Sequence, residues 1–99
     1  MSDKPMKVGE ALKQYLAASQ VGERMEEATI VPEWAERVGQ RIAAVTTPLR
    51  VSRGTLFVAV RSSAWLMELR LMEGEILRTL NAGRERGRIE KIRFVMADG

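Results

Sequence analysis

The chain has 99 residues, with 16 Lys and Arg against 13 Asp and Glu for a formal net charge of +3, and it contains neither Cys nor His. That length supports one domain with a small core, expected to cover residues 1–99 with 1–7 and 97–99 as flexible ends. The missing residue types remove disulfides, Cys/His zinc sites, thiol nucleophiles and imidazole bases.

No cofactor is expected. The longest apolar run, Leu56 to Val60, is too short to span a bilayer. The start M-S-D-K-P-M-K lacks the apolar stretch of a secretory signal. A cytoplasmic protein without a membrane partner is therefore expected. Charge is unevenly placed: residues 1–46 carry six basic and seven acidic side chains, and residues 47–99 carry ten and six. Nine of those ten are Arg, whose planar fork suits phosphate. The second half thus points to an anionic partner or, equally, to a solvated surface of mixed charge.

In chain order, Val8 to Ala18 predicts a first helix with Leu12, Tyr15 and Leu16 on its apolar side. A short helix or turn follows over Glu23–Ala28. Pro32 suits a first helical turn, so a main helix is expected from Pro32 to Ala44, its buried side formed by Trp34, Val38, Ile42 and Val45. Gly39 lies inside it, where Gly costs about 1 kcal/mol relative to Ala; its presence suggests that another backbone packs close. Thr46-Thr47-Pro48 ends the helix. Leu49 and Val51 alternate with Arg50 and Ser52 in a short strand, and Ser52-Arg53-Gly54 is a hairpin turn with Gly54 free to take positive φ.

Thr55–Arg61 has the period-2 alternation of a half-buried strand. Ser62 or Ser63 can cap the next helix, expected over Ser63–Ala82. There Trp65, Leu69, Met72, Ile76 and Leu80 form one stripe facing the sheet. Gly83 suits a left-handed C-cap. Gly83-Arg84-Glu85-Arg86-Gly87 is a basic loop, and Ile89–Met96 is a last strand with Ile92, Phe94 and Met96 on one face. The order α-α-β-β-α-β predicts an α+β fold with helices on one face of a three-stranded sheet, the first strand sitting between the other two so that every neighbour is antiparallel. This order and size suit a KH-like domain.

Five segments carry a resemblance: W-A-E-R-V-G-Q-R-I-A at Trp34–Ala43, T-P-L at Thr47–Leu49, G-T-L-F-V-A-V at Gly54–Val60, S-S-A-W-L-M-E-L at Ser62–Leu69 and I-L-R-T-L-N at Ile76–Asn81. In this order they resemble the DciA family, bacterial accessory proteins of the replicative helicase with a KH-like domain. The resemblance implies a bacterial protein that binds DNA and helps to load that helicase. The G-R-E-R-G loop departs from the G-x-x-G clamp of true KH domains: it has three residues between its glycines and follows a helix.

Strand parity places Arg50, Phe57, Ala59, Arg61, Lys91, Arg93 and Val95 on the sheet face turned away from the helices. An aromatic among cations on an open sheet is how single-strand binders work, with bases stacking on the ring and cations holding phosphates. Arg84, Arg86 and Arg88 are placed to reach phosphate beside it. The ligand is expected to be DNA, single- or double-stranded, or RNA. The competing reading is a solvent-facing sheet whose lone Phe is incidental or covered by a second subunit. Trp34 and Trp65 lie on buried stripes and are expected to pack rather than stack on bases.

On the back of the long helix, Met67, Leu71, Gly74 and Arg78 share one side, where they either seat a partner helix or lie under the protein's own helices. That surface supports an alternative function: a protein-interaction adapter or homodimer without nucleic-acid binding of its own. The carboxylates Glu68, Glu73 and Glu75 sit beside Arg70 and Arg78 as expected ion pairs. With no phosphate-cradling G-x-x-x-x-G-K and no nucleophile–His pair, no enzyme is expected.

Overall fold

A computed structural model describes residues 20–97; the helix expected over Val8–Ala18 and the flexible ends expected at 1–7 and 97–99, apart from Ala97, lie outside the described residues. Among the described residues three helical pieces come first: α1 (Gln20–Ala28), α2 (Ile30–Val38) and α3 (Gln40–Ala43). Pro32 falls in the first turn of α2, where its missing N–H costs nothing. The main helix expected from Pro32 to Ala44 is broken at Gly39, which takes φ 90° and ψ 162°. A Cβ there would meet nothing within 4 Å, so the glycine answers a backbone conformation closed to L side chains, not the close packing expected of it.

The break lets Trp34 point into the core, where it is 1% exposed. Its indole Nε1–H donates to Thr46 Oγ1 at 2.9 Å, and that hydroxyl donates to the Ile42 carbonyl at 2.7 Å. This chain of bonds ties α2 and α3 to the first residue of β1 (Thr46–Ser52). Thr46 and Thr47 thus belong to a strand rather than to a helix end.

β1 and β2 (Thr55–Val60) form a hairpin whose two turn residues, Arg53 and Gly54, both have positive φ, as the tightest hairpin turn requires. β2 then feeds α4 (Ser63–Leu71), α5 (Glu73–Asn81) and β3 (Lys91–Met96). The sheet order is β1-β2-β3, with β2 antiparallel to β1 and parallel to β3. This overturns the expected all-antiparallel sheet centred on the first strand. β1 carries Pro48, which has no donor for a ladder, and a register shift between Pro48 and Arg50; both features belong at a sheet edge. β2 has neither, and a crossover through two helices returns β3 parallel to it. The α+β class, three strands and one helix-covered face stand as expected and are consistent with a KH-like fold.

Ser62 Oγ accepts from Trp65 N at 3.3 Å and caps α4. The single helix expected over Ser63–Ala82 divides at Met72 (φ −92°, ψ 4°). Glu73 therefore opens a new helix, where a carboxylate is favoured by the local dipole. The stripe keeps its phase: Leu69, Ile76 and Leu80 are buried with Leu56, Val58 and Phe94, while Trp65 and Met72 are half-buried at the margin. Asn81 closes α5 from inside, its amide donating to Ile89 O (2.8 Å) and accepting from Ile89 N (2.7 Å). The amide side chain stands in for a strand partner there, so the buried main chain is satisfied.

Candidate nucleic-acid interface

The alternation of β2 turns Leu56, Val58 and Val60 under the helices and leaves Thr55, Phe57 and Ala59 half-buried on the other face. Register then fixes the neighbours. Phe57 pairs with Arg50 on one side and Arg93 on the other, and Thr55 pairs with Lys91. The Arg50 guanidinium carbon lies 4.3 Å from the Phe57 ring centroid, a cation–π contact that orients both groups. Arg50, Lys91 and Arg93 are exposed. The structure thus brings Arg50, Phe57, Lys91 and Arg93 into one patch. Its centre is a ring with a guanidinium laid over it, and either a ring or an Arg plane can carry a stacked base.

Arg61 lies at the strand's end. Its Nη1 donates to Ala44 O at 2.9 Å and its backbone N donates to Val45 O, so it braces the α3–β1 junction while remaining exposed. The basic loop is placed differently. Arg84 is directed inward, its side chain 8% exposed. It donates to Glu26 O (2.8 Å), Thr29 Oγ1 (2.6 Å) and Gly87 O (3.2 Å) and faces Glu33 at 3.5 Å. This is a clamp between loop and helices, and it corrects the expectation that Arg84 reaches outward to phosphate. Arg86 pairs with Glu23 at 3.6 Å, and Arg88 donates to Arg84 O at 2.9 Å. The loop therefore docks on α1 and α2.

On the back of the helices, Met67 is 69% and Leu71 84% exposed. Gly74 and Arg78 are exposed as well. The break at Met72 divides this row into a pair on α4 and a pair on α5. Arg78 borders a hollow of about 350 Å³ floored by Val38, Ile42, Met72 and Ile76.

Several residues that hold this architecture carry no signal in the sequence pattern. Arg37 donates to Leu80 O (3.3 Å) and Ala82 O (3.0 Å), binding α2 to the open C-terminal end of α5, where a cation is favoured. Glu23 accepts from Gly87 N at 2.7 Å and Glu73 from Ile92 N at 3.0 Å. Such long-range side-chain to main-chain bonds leave no periodic mark in a sequence. No helix among the described residues is long and apolar enough to cross a membrane.

Fold and site together define a small α+β unit with one packed sheet face and one cationic face that no helix among the described residues covers. Residues 7–94 match the family described as Dna[CI] antecedent, DciA. The chain is 33% identical over 71 residues to a UPF0232 protein of Rhodococcus jostii (72% of this chain, 38% of that protein). It is 31% identical over 68 residues to one of Mycobacterium ulcerans (69% and 36%). A third, from Mycobacterium tuberculosis strain H37Rv, is 28% identical over 78 residues (79% and 42%). The matched segments thus span well under half the length of these relatives. The chain belongs to the DciA family, a group related to loaders of the bacterial replicative helicase.

Proposed function

We propose that this chain is a non-catalytic, cytoplasmic accessory of bacterial DNA replication that binds nucleic acid on its open sheet face and assists loading of the replicative helicase. The observation that carries the reading is Phe57 held between Arg50 and Arg93 on a sheet face left open among the described residues, with Arg50 laid on the ring at 4.3 Å. Single-stranded DNA is the favoured ligand because stacking needs unpaired bases. Lys91 and Arg93 supply phosphate contacts, Arg50 completes the stacking platform with the ring it lies on, and Arg61 extends the row.

Stacking is worth about 1–3 kcal/mol per base, so Phe57→Ala is expected to weaken binding of a labelled oligonucleotide by roughly 5- to 150-fold. It should leave the salt slope unchanged, since no charge is lost. Arg93→Ala is expected to reduce that slope by about 0.7. Fluorescence titrations at several salt concentrations separate the two signatures. Unchanged affinity in Phe57→Ala, together with loss of binding when Arg86 and Arg88 are both neutralised, would move the site to the loop.

The exposure of Met67 and Leu71 favours a second reading, a docking surface for a partner protein or a second copy. A Cβ at Gly74 would meet only Arg78 Nη1, at 3.8 Å, so Gly74→Arg is expected to fold. It should reduce association with the helicase, or self-association, in light scattering and pull-down. Unaltered association would remove this surface from consideration.

A further inference from the structure

The sheet has two outer strands, and they are protected unequally. β1 carries Pro48 and an irregular register, both of which discourage a further strand. β3 has neither. In a strand, the N–H and C=O groups of successive residues project alternately to the two sides. Ala97 N donates inward to Val60 O, and Ile92 N donates outward to the Glu73 carboxylate. By the same alternation, the backbone groups of Phe94 and Met96 face outward, and among the described residues they carry no hydrogen bond. Among the described residues, Glu73 therefore caps only the first rung of an otherwise open edge.

Beside that edge runs a hollow of about 630 Å³, bounded by Leu66 and Arg70 of α4, by Glu73 and by β3 itself. Its apolar lining is Leu66 with the β3 side chains Ile92, Phe94, Val95 and Met96, of which Val95 and Met96 are exposed. Its charge comes from Arg70, Lys91 and Arg93, opposed by a Glu73 carboxylate already engaged with Ile92 N. Pairing two copies edge to edge would gather both sets of cations into one seam, where like charges repel. An incoming strand with acidic side chains meets no such penalty.

We propose that the β3 edge accepts an extended acidic peptide segment of a partner protein as a fourth strand. Phe94 and Met96 supply its main-chain bonds, Lys91, Arg93 and Arg70 its charge recognition, and Leu66 with Met96 a seat for its apolar side chains. This is strand addition, at an edge distinct from the Phe57 patch but sharing two of its cations.

The test uses the full chain and a fluorescein-labelled Asp-Val-Asp-Leu-Asp-Val peptide, read by anisotropy and by amide hydrogen exchange. Binding is expected to slow exchange at Phe94 and Met96. Arg70→Glu should weaken the peptide by about fivefold, the scale of one exposed ion pair, without changing single-strand affinity. Met96→Pro removes an outward donor at a position where an edge tolerates Pro, and it should weaken the peptide too. Glu73→Ala frees the Ile92 donor and should strengthen it. The proposal is overturned if the peptide does not bind, if it binds without protecting Phe94 and Met96, or if the edge proves to be occupied by a second copy in a dimer that Met96→Pro dissociates. Failure of the sheet-face reading shows elsewhere, as unchanged single-strand affinity in Phe57→Ala, and leaves this proposal standing.

Discussion

Trp34→Ala is expected to destabilise the protein by about 3–5 kcal/mol, the usual cost of deleting a large buried aromatic. The side chain is 1% exposed and sits where α2 and α3 meet the head of β1. Its removal leaves a cavity and strips Thr46 Oγ1 of its donor, although that hydroxyl keeps its bond to Ile42 O. Small domains have a total stability of roughly 5–15 kcal/mol, so the variant should unfold at a much lower urea concentration. Trp34→Phe separates the two contributions: it retains most of the volume but lacks the N–H, and should cost nearer 1 kcal/mol for the bond, plus whatever gap remains. Trp65 provides the comparison. It has the same chemistry but is only half-buried at the core margin, so Trp65→Ala should cost less than Trp34→Ala. Equal urea midpoints for the two alanine variants would show that the core is not centred on Trp34.

Period and parity were legible in the sequence because each element is half-buried. The alternation of Leu56, Val58 and Val60 chose the covered face of β2. The 3–4 spacing of Leu69, Ile76 and Leu80 chose the inner side of the helices across a break that the pattern could not reveal. The same parity put Arg50, Phe57, Lys91 and Arg93 together before any strand order was known, because parity is blind to order. That blindness also explains the error in strand order. Alternation states which way a side chain points, not which neighbour a strand has, and the signals that place β1 outside are the single Pro48 and a register shift. The loop was misjudged for a related reason. Composition counts Arg84 as a surface cation, but the acceptors that draw it inward, Glu26 O and Thr29 Oγ1, lie more than fifty residues away. A charge in a glycine-bounded loop has no sequence mark that separates a clamp from a contact.

Those glycines make the second large effect. Gly87 has φ +65°, and a Cβ built there would lie 2.5 Å from Glu26 Cβ, 2.6 Å from Glu26 C and 2.7 Å from Glu27 N. Two of the three obstructing atoms belong to the backbone of α1, so a change of rotamer cannot relieve the clash. The close approach exists because Gly87 N donates to Glu23 Oε1 at 2.7 Å while Arg84 bridges Gly87 O and Glu26 O. Gly87→Ala is expected to cost about 1–2 kcal/mol for the left-handed backbone and about 1–3 kcal/mol more for overpacking. Gly83 isolates the first contribution: its φ is +76°, with nothing within 4 Å of a built Cβ, so Gly83→Ala should show the conformational cost alone. Urea unfolding of the two variants measures the difference, which is the energy of seating the loop on α1. Hydrogen exchange should also show the Gly87→Ala loop opening before the rest of the fold, because its anchors, Glu23 and Arg84, act only while the backbones touch. If both substitutions cost the same and exchange in the loop is unchanged, the loop does not rest on α1, and Arg84 is free to turn outward with Arg86 and Arg88.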